Sequence, residues 1–187
     1  MEKIKVPISK ANRLINSGNL ILVTSSYKGK SNIITVAWHM PVSIKPPIIG
    51  VSIGTSRYSA ELIKKGKEFI VNIPTWNLLD KVLYCGTHSG RDVDKFEKAK
   101  LTQQKPLRLS NTPKIGECIG AIECTLIDYK ELGDHIVFFG EVLYVEAVKV
   151  LFKNEIWDPL KAELIYHLGG DVFMCSTGRV DKGEIKN

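Results

Sequence analysis

The chain has 187 residues, is 44% hydrophobic and 25% charged, and carries a net charge of +6. That length supports one domain whose core needs neither metal nor disulfide, and the composition excludes disordered and fibrous classes. No apolar run approaches the roughly 18 residues of a membrane span, and the N-terminus MEKIKVPISK lacks a signal-peptide core, so a cytoplasmic protein is expected.

In chain order, the stretch 9–18 (SKANRLINSG) predicts a short helix stopped by Asn16 or Gly18. Residues 20–25 (LILVTS) predict a buried strand, and YKGK a turn. The next strand, 32–38, alternates with Asn32, Ile34, Val36 and Trp38 on one face and Ile33, Thr35 and Ala37 on the other. Pro41, Pro46 and Pro47 predict an unpaired loop, with a new strand beginning at Ile48. Ser59 is the expected N-cap of a helix stopped by Gly66, and EFIVNIP is a strand closed by Pro74.

Further along, Thr75 is the expected cap of a helix through WNLLDKVLYCG. Ser89 and Asp92 have capping-box spacing for a second helix carrying Lys95 and Phe96. Residues 101–115 predict a loop. ECIGAIECTLIDY and HIVFFGEVLYVEAV, joined by KELGD, predict a long hairpin. The remainder predicts a short helix, a last strand and a solvated tail over 176–187. With no repeat or linker, 1–187 reads as one domain. About seven strands with antiparallel neighbours favour a mainly β, closed or nearly closed barrel with helices at its ends.

Several stretches carry chemistry. Gly29-Lys30-Ser31 ends like a phosphate-binding P-loop, but the glycine that motif requires is Thr24 here. No GxGxxG follows a strand, so a dinucleotide-binding Rossmann unit is excluded. Ser31, Asn32 and Thr35 bring three hydrogen-bonding side chains to one strand, as either a solvated edge or a rim for the polar edge of a heterocycle. Ser56, Arg57 and Ser59 at a helix start offer hydroxyls, a guanidinium and a positive dipole end, the needs of a phosphate monoester or of a plain N-cap. Ser89, Arg91 and Lys95 repeat that logic at a second helix start.

His135, at the mouth of the hairpin, reads either as a turn histidine making a local hydrogen bond or as a proton donor or ligand contact. Cys85 lies near His88, which could lower its pKa, but no third residue orients the pair as a nucleophile. The other cysteines read as buried and reduced, and no His, Cys or carboxylate set has metal-ligand spacing. Lys64, Lys65 and Lys67 cluster at a helix end without interleaved aromatics, which argues against a nucleic-acid groove.

The ordered set KGKSNIITVAW, PP, SRYS, EFIVNIP, CGTHSGRDVDKF, ECIGAIEC and GDHIVFFGEV resembles the flavin reductase-like family of FMN-binding split β-barrels, which includes the flavoredoxins. The likeness runs from about Ser9 to Phe173. It implies a homodimer of six-stranded Greek-key barrels with non-covalent FMN. By that resemblance Ser31, Asn32 and Thr35 contact the ring and ribityl chain with Trp38 close by, and Ser56, Arg57 and Ser59 contact the phosphate. Asn72, Ser89, Arg91, Lys95 and Phe96 complete the pocket, with Lys95 a charge partner, and His135 lies near the flavin or its reductant. Phe173 stands where many relatives have tyrosine. The expected function is an NAD(P)H-dependent flavin reductase passing hydride through FMN to free flavin or ferric iron, with NADH or NADPH as reductant. The alternative is a flavoredoxin-like electron carrier with a protein partner.

Overall fold

The apolar run at the start of the chain has no polar face because both of its faces are buried. In the computed structural model, which describes residues 18–176, it becomes strand β1 (Ile21–Tyr27). Ile21 and Val23 point into one core, while Leu20 and Leu22 point into another. β2 (Lys30–Val36) does the same, with Ile34 and Val36 on the first core and Ile33 on the second, as its alternation predicts. Except for Gly18, the helix expected over 9–18 lies outside the described residues, as does the tail beyond Ser176.

The chain continues as β3 (His39–Ile44), β4 (Pro47–Gly54), α1 (Tyr58–Gly66), β5 (Glu68–Ile73), a 3₁₀ turn (Trp76–Leu78), α2 (Leu79–Thr87) and α3 (Lys95–Lys98). Then come β6 (Gln103–Gln104), β7 (Lys114–Ile115), β8 (Gly120–Leu132) and β9 (His135–Ala147). β10 (Phe152–Lys153), β11 (Ile156–Trp157), β12 (Ile165–Gly169) and β13 (Val172–Cys175) end it. The main sheet is antiparallel in the order β2-β1-β5-β8-β9-β4-β3. Its two edge strands, β2 and β3, are joined in sequence only by Ala37 and Trp38, so the chain itself bridges the two edges. Taking β2 and β3 as one bent strand gives six strands. β5 then returns beside β1 after β4, which is the expected Greek-key order.

Several expectations are corrected. Residues 39–44 pair with β4 instead of looping out. Pro41 is tolerated because β3 is an edge strand, and the register shifts between Pro41 and Ser43. The N-cap of α1 is Arg57, not Ser59, and no side chain caps it. Gly66 closes α1 but is not its left-handed residue, which is Lys67 at φ 60°. Glycine is needed at 66 because a Cβ there would lie 2.1 Å from the Ser26 carbonyl oxygen. Asp94, not Ser89, caps the α3 helix, its carboxylate accepting from the Phe96 and Glu97 amides.

In the loop predicted at 101–115, β6 and β7 pair. The short helix expected after residue 151 is absent among the described residues, where β10–β11 and β12–β13 pair instead. Ser176 is no part of a solvated tail, since its hydroxyl accepts from the Leu164 amide and donates to the Ala162 carbonyl. No described helix is long and apolar enough to cross a membrane.

Two buried acids fasten the 107–112 loop to the sheet. Glu123, wholly buried on β8, accepts from the amides of Leu107, Arg108 and Leu109. Glu68 on β5 accepts from those of Ser110, Asn111 and Thr112.

The free edge of β2 is covered by α2. Thr35 Oγ1 donates to the Val82 carbonyl at 2.5 Å. Lys95, 4% exposed, donates from Nζ to the Ile33 carbonyl on β2 and the Cys85 carbonyl near the end of α2, both at 2.7 Å. A cation at a helix C-terminus is favoured by the helix dipole, and here it also satisfies an edge-strand acceptor.

Replacing Lys95 with Met removes both bonds and should lower unfolding free energy by on the order of 2–4 kcal/mol. Burial pushes the Lys95 pKa from the ordinary 10.5 down to about 8. Between those values the unfolded chain holds more protons than the folded one, so this group makes stability rise with pH. The neutral amine still has two N–H donors for its two carbonyls. The stability advantage of the native chain over Lys95→Met, measured by urea titration, should widen across that window, and a narrowing gap would contradict this assignment.

Candidate functional site

Two adjoining clefts open where β2, β4 and α2 meet. The larger, of about 390 Å³, lies between Ile34, Thr35 and Val36 of β2 and Val82 and Gly86 of α2. Trp38 and His135 form one wall, and His167, Asp171 and Phe173 form another. Helix α2 passes close over β2 here, so a Cβ on Gly86 would stand 3.3 Å from Thr35 Cβ. The smaller cleft, of about 220 Å³, is bordered by Asn32, Ser56, Ser89, Gly90, Arg91 and Lys95 at the start of α1. Ile34, Arg57 and Gly86 border both, so the two form one two-lobed site.

The smaller lobe gathers the cationic side chains of Arg57, Arg91 and Lys95. No side chain caps the start of α1, leaving its dipole end exposed to whatever enters beside Ser56 and Arg57. Asn32 is 3% exposed and donates from Nδ2 to Ser59 Oγ, while its Oδ1 has no protein partner. A buried acceptor without a partner is rare in finished structures, and this one borders the lobe. Gly90 closes over it, since a Cβ there would fall 2.0 Å from that oxygen.

The larger lobe is mixed in character, with aromatic, aliphatic and polar side chains in its lining. His135 Nδ1 lies 2.7 Å from Asp134 Oδ1, and that contact holds the Asp134 carboxyl below the ordinary carboxylate range. The imidazole packs on Trp38 with ring centroids 4.7 Å apart. Across the cleft, His167 packs on Phe173 at 5.1 Å.

The residues singled out from sequence divide into two groups. Thr35, Trp38, Arg57 and His135 line the larger lobe, and Asn32, Ser56, Arg57, Ser89, Arg91 and Lys95 the smaller. Four others border neither lobe. Ser31 shares a 2.7 Å hydrogen bond with Ser26 and faces an outer groove. Ser59 is fully buried and serves as acceptor for Asn32. Asn72 is fully buried. Its amide donates to Leu22 O, Thr24 Oγ1 and Ile70 O, and its Oδ1 accepts from Ile115 N, so it ties strands together. Phe96 packs in the second core.

Three charged side chains differ in what they are free to do. The Lys95 ammonium is engaged by two carbonyls, so it meets an anion only with what remains. Arg91 is held by Ser56 O and Glu61, both at 3.1 Å. Glu61, which Lys65 and then Arg91 hold below the ordinary carboxylate range, keeps Arg91 beside the lobe. Arg57 is exposed and borders both lobes.

The Cys85–His88 nucleophile fails. Burial pushes the Cys85 thiol up to about 11 despite Lys95, and His88 Nδ1 is near Tyr84 O and Thr87. Sequence reading missed Gly86 as a site residue by taking it for a helix stop. It also missed His167 and Asp171, although LGGD is a turn signal that would have placed them on a hairpin.

Residues 13–170 match the family described as flavin reductase like domain. A protein of Archaeoglobus fulgidus is 42% identical over 116 residues, covering 62% of this chain and 65% of that relative. The uncharacterized protein YddH of Escherichia coli is 30% identical over 96% of this chain and 98% of its own length. Among solved structures, flavoredoxin from Methanosarcina acetivorans superposes with a TM-score of 0.87 at 27% identity, covering 100% of this chain and 97% of that one. Flavoredoxin of Desulfovibrio vulgaris gives 0.79 at 26%, covering 88% and 89%. With that match over most of its length, the chain belongs to the flavin reductase-like family.

Proposed function

We propose that the protein is an FMN-binding oxidoreductase, most directly an NAD(P)H-dependent flavin reductase. The observation that carries this reading is the pair of adjoining clefts, one walled by Trp38, His135 and Phe173 and the other at the uncapped start of α1, that share Ile34, Arg57 and Gly86. A planar ring ending in a phosphate monoester has that outline. Ser56, Arg57, Ser89 and Arg91 are disposed to hold the phosphate. Thr35 and Gly86 bound the space for the ring. When bound, FMN would supply the redox chemistry, taking a hydride from NADH or NADPH and passing electrons to free flavin or ferric iron.

The protein's own task is then positioning and proton supply. Asp134 fixes the His135 ring against Trp38, so His135 is the side chain placed to hold a proton at the larger lobe. Phe173 gives the other wall, beside His167, an apolar surface where a tyrosine would give a hydroxyl. The likeness to two flavoredoxins supports a second reading, an electron carrier that serves a protein partner and ignores NAD(P)H. Homodimer formation and a cytoplasmic location belong to the same proposal. The first is supported by exposed Met40, Val42 and Ile44 on an edge strand, the second by four unbridged cysteines.

Anaerobic mixing of the FMN-loaded protein with NADH or NADPH in a stopped-flow instrument separates the readings. A reductase loses its visible flavin absorbance rapidly with at least one nucleotide. No fast bleaching with either nucleotide contradicts the reductase and leaves the carrier. Substituting Arg57 with Ala should weaken FMN binding about tenfold or more, one charge-assisted contact's worth. Unchanged affinity in a fluorescence titration would remove Arg57 from the phosphate site.

A further inference from the structure

A basic face that the proposed function leaves unused lies at the far end of α1. Lys64 and Lys65 stand in the last turn of that helix and Lys67 is its exposed C-cap residue, where the helix dipole favours cations. The β1–β2 turn flanks this end on one side and the hairpin end of β8 on the other. Lys28 Nζ lies 5.5 Å and Lys65 Nζ 5.9 Å from the Tyr27 ring centroid, and Lys64 Nζ lies 4.9 Å from that of Tyr129. Lysines of the turn and of α1 thus gather around two tyrosines.

The carboxylates of this face are fewer, and its lysines or Arg91 already engage them. Glu61 is shared by Lys65 at 2.7 Å and Arg91 at 3.1 Å, and Glu131 meets Lys64 at 3.5 Å. Asp128, beside Tyr129 on β8, falls on the opposite face of that strand by alternation. Lys30 lies beyond, in a groove that it shares with Asp92 and Asp94. Among the described residues Lys28 and Lys67 form no salt bridge, so the face keeps a positive surplus.

The rings distinguish the partner. A single-stranded nucleic acid stacks its bases on bare aromatic faces, and here ammonium groups lie over both rings. Ammonium groups beside tyrosine hydroxyls are instead a set of donors for carboxylates, which accept from several at once.

We propose that this face docks an acidic protein whose carboxylates meet Lys28, Lys64 and Lys67. The face and the smaller lobe stand at the two ends of one nine-residue helix, about 14 Å long. In the carrier reading the docked protein would be the redox partner, and that role alone rests on the flavin assignment above.

Fluorescently labelled poly-L-glutamate, titrated with the protein and read by anisotropy, tests the face. Binding should weaken as salt rises. The triple variant Lys28→Gln, Lys64→Gln, Lys67→Gln should weaken it about tenfold or more. A control triple, Lys149→Gln, Lys153→Gln, Lys161→Gln, removes the same charge from exposed lysines after β9 and should leave it within about twofold. All six side chains lie at the surface, so both triples should fold. Equal weakening by the two triples would reduce the effect to net charge and overturn the docking face. Oligothymidine or phosphatidylglycerol vesicles binding more tightly than polyglutamate, and released by the first triple, would overturn the acidic protein in favour of nucleic acid or membrane. Because the titration uses no flavin, a chain that docks polyglutamate as expected but takes up no FMN upholds this face and overturns the flavin assignment alone.

Discussion

Much of the site depends on one buried ammonium. Lys95 spans the Ile33 carbonyl on the free edge of β2 and the Cys85 carbonyl of α2, two acceptors that belong to different elements. A barrel whose edge strands are joined only by Ala37 and Trp38 has an exposed seam at β2, and buried backbone acceptors at such a seam need partners. The Lys95 bridge and the Thr35–Val82 bond supply them by drawing α2 across the seam. That placement brings Gly86 over Thr35, and the gap left beside them is the larger lobe. The packing of α2 on β2 and the larger lobe thus share Thr35, Val82 and Gly86.

The same economy recurs around the rest of the sheet. Polar side chains that look like site residues by type are often spent on the scaffold: Asn72 ties β1, β5 and β7 together, and Ser59 receives Asn32. Glu68 and Glu123 each accept three amides of one loop, which a chain with few helices needs to hold irregular backbone against its barrel. What is left over marks the site: an uncapped helix start, an exposed Arg57 and an orphaned Asn32 oxygen.

The strands buried on both faces and the long β8–β9 hairpin were legible because periodicity and turn residues report them directly. The order of short motifs gave the family. What could not be read depended on tertiary neighbours. Pro41 breaks a central strand but not an edge, and nothing local says that residues 39–44 lie at an edge. Ser89 and Asp94 are both good caps by type, and only the fold shows that Asp94 has the geometry. Gly66 reads as a helix stop by composition, whereas it is glycine because the Ser26 carbonyl comes too close for a side chain, and a Cβ at Gly86 would crowd Thr35. Among the residues lining the larger lobe, Thr35, Trp38, Arg57 and His135 were singled out by type and spacing or motif, and His167 and Asp171 were passed over in a segment read as a short helix and a last strand, where two hairpins form instead.

The central claim is that a flavin mononucleotide lies along the two lobes with its phosphate at the start of α1. A crystal structure of the protein grown with FMN tests that most directly. The ring is expected beside Thr35 and Gly86, near Trp38 and His135, and the phosphate within hydrogen-bond reach of Ser56 and Arg57. FMN bound elsewhere, or a phosphate turned toward His167 and Asp171, would contradict it.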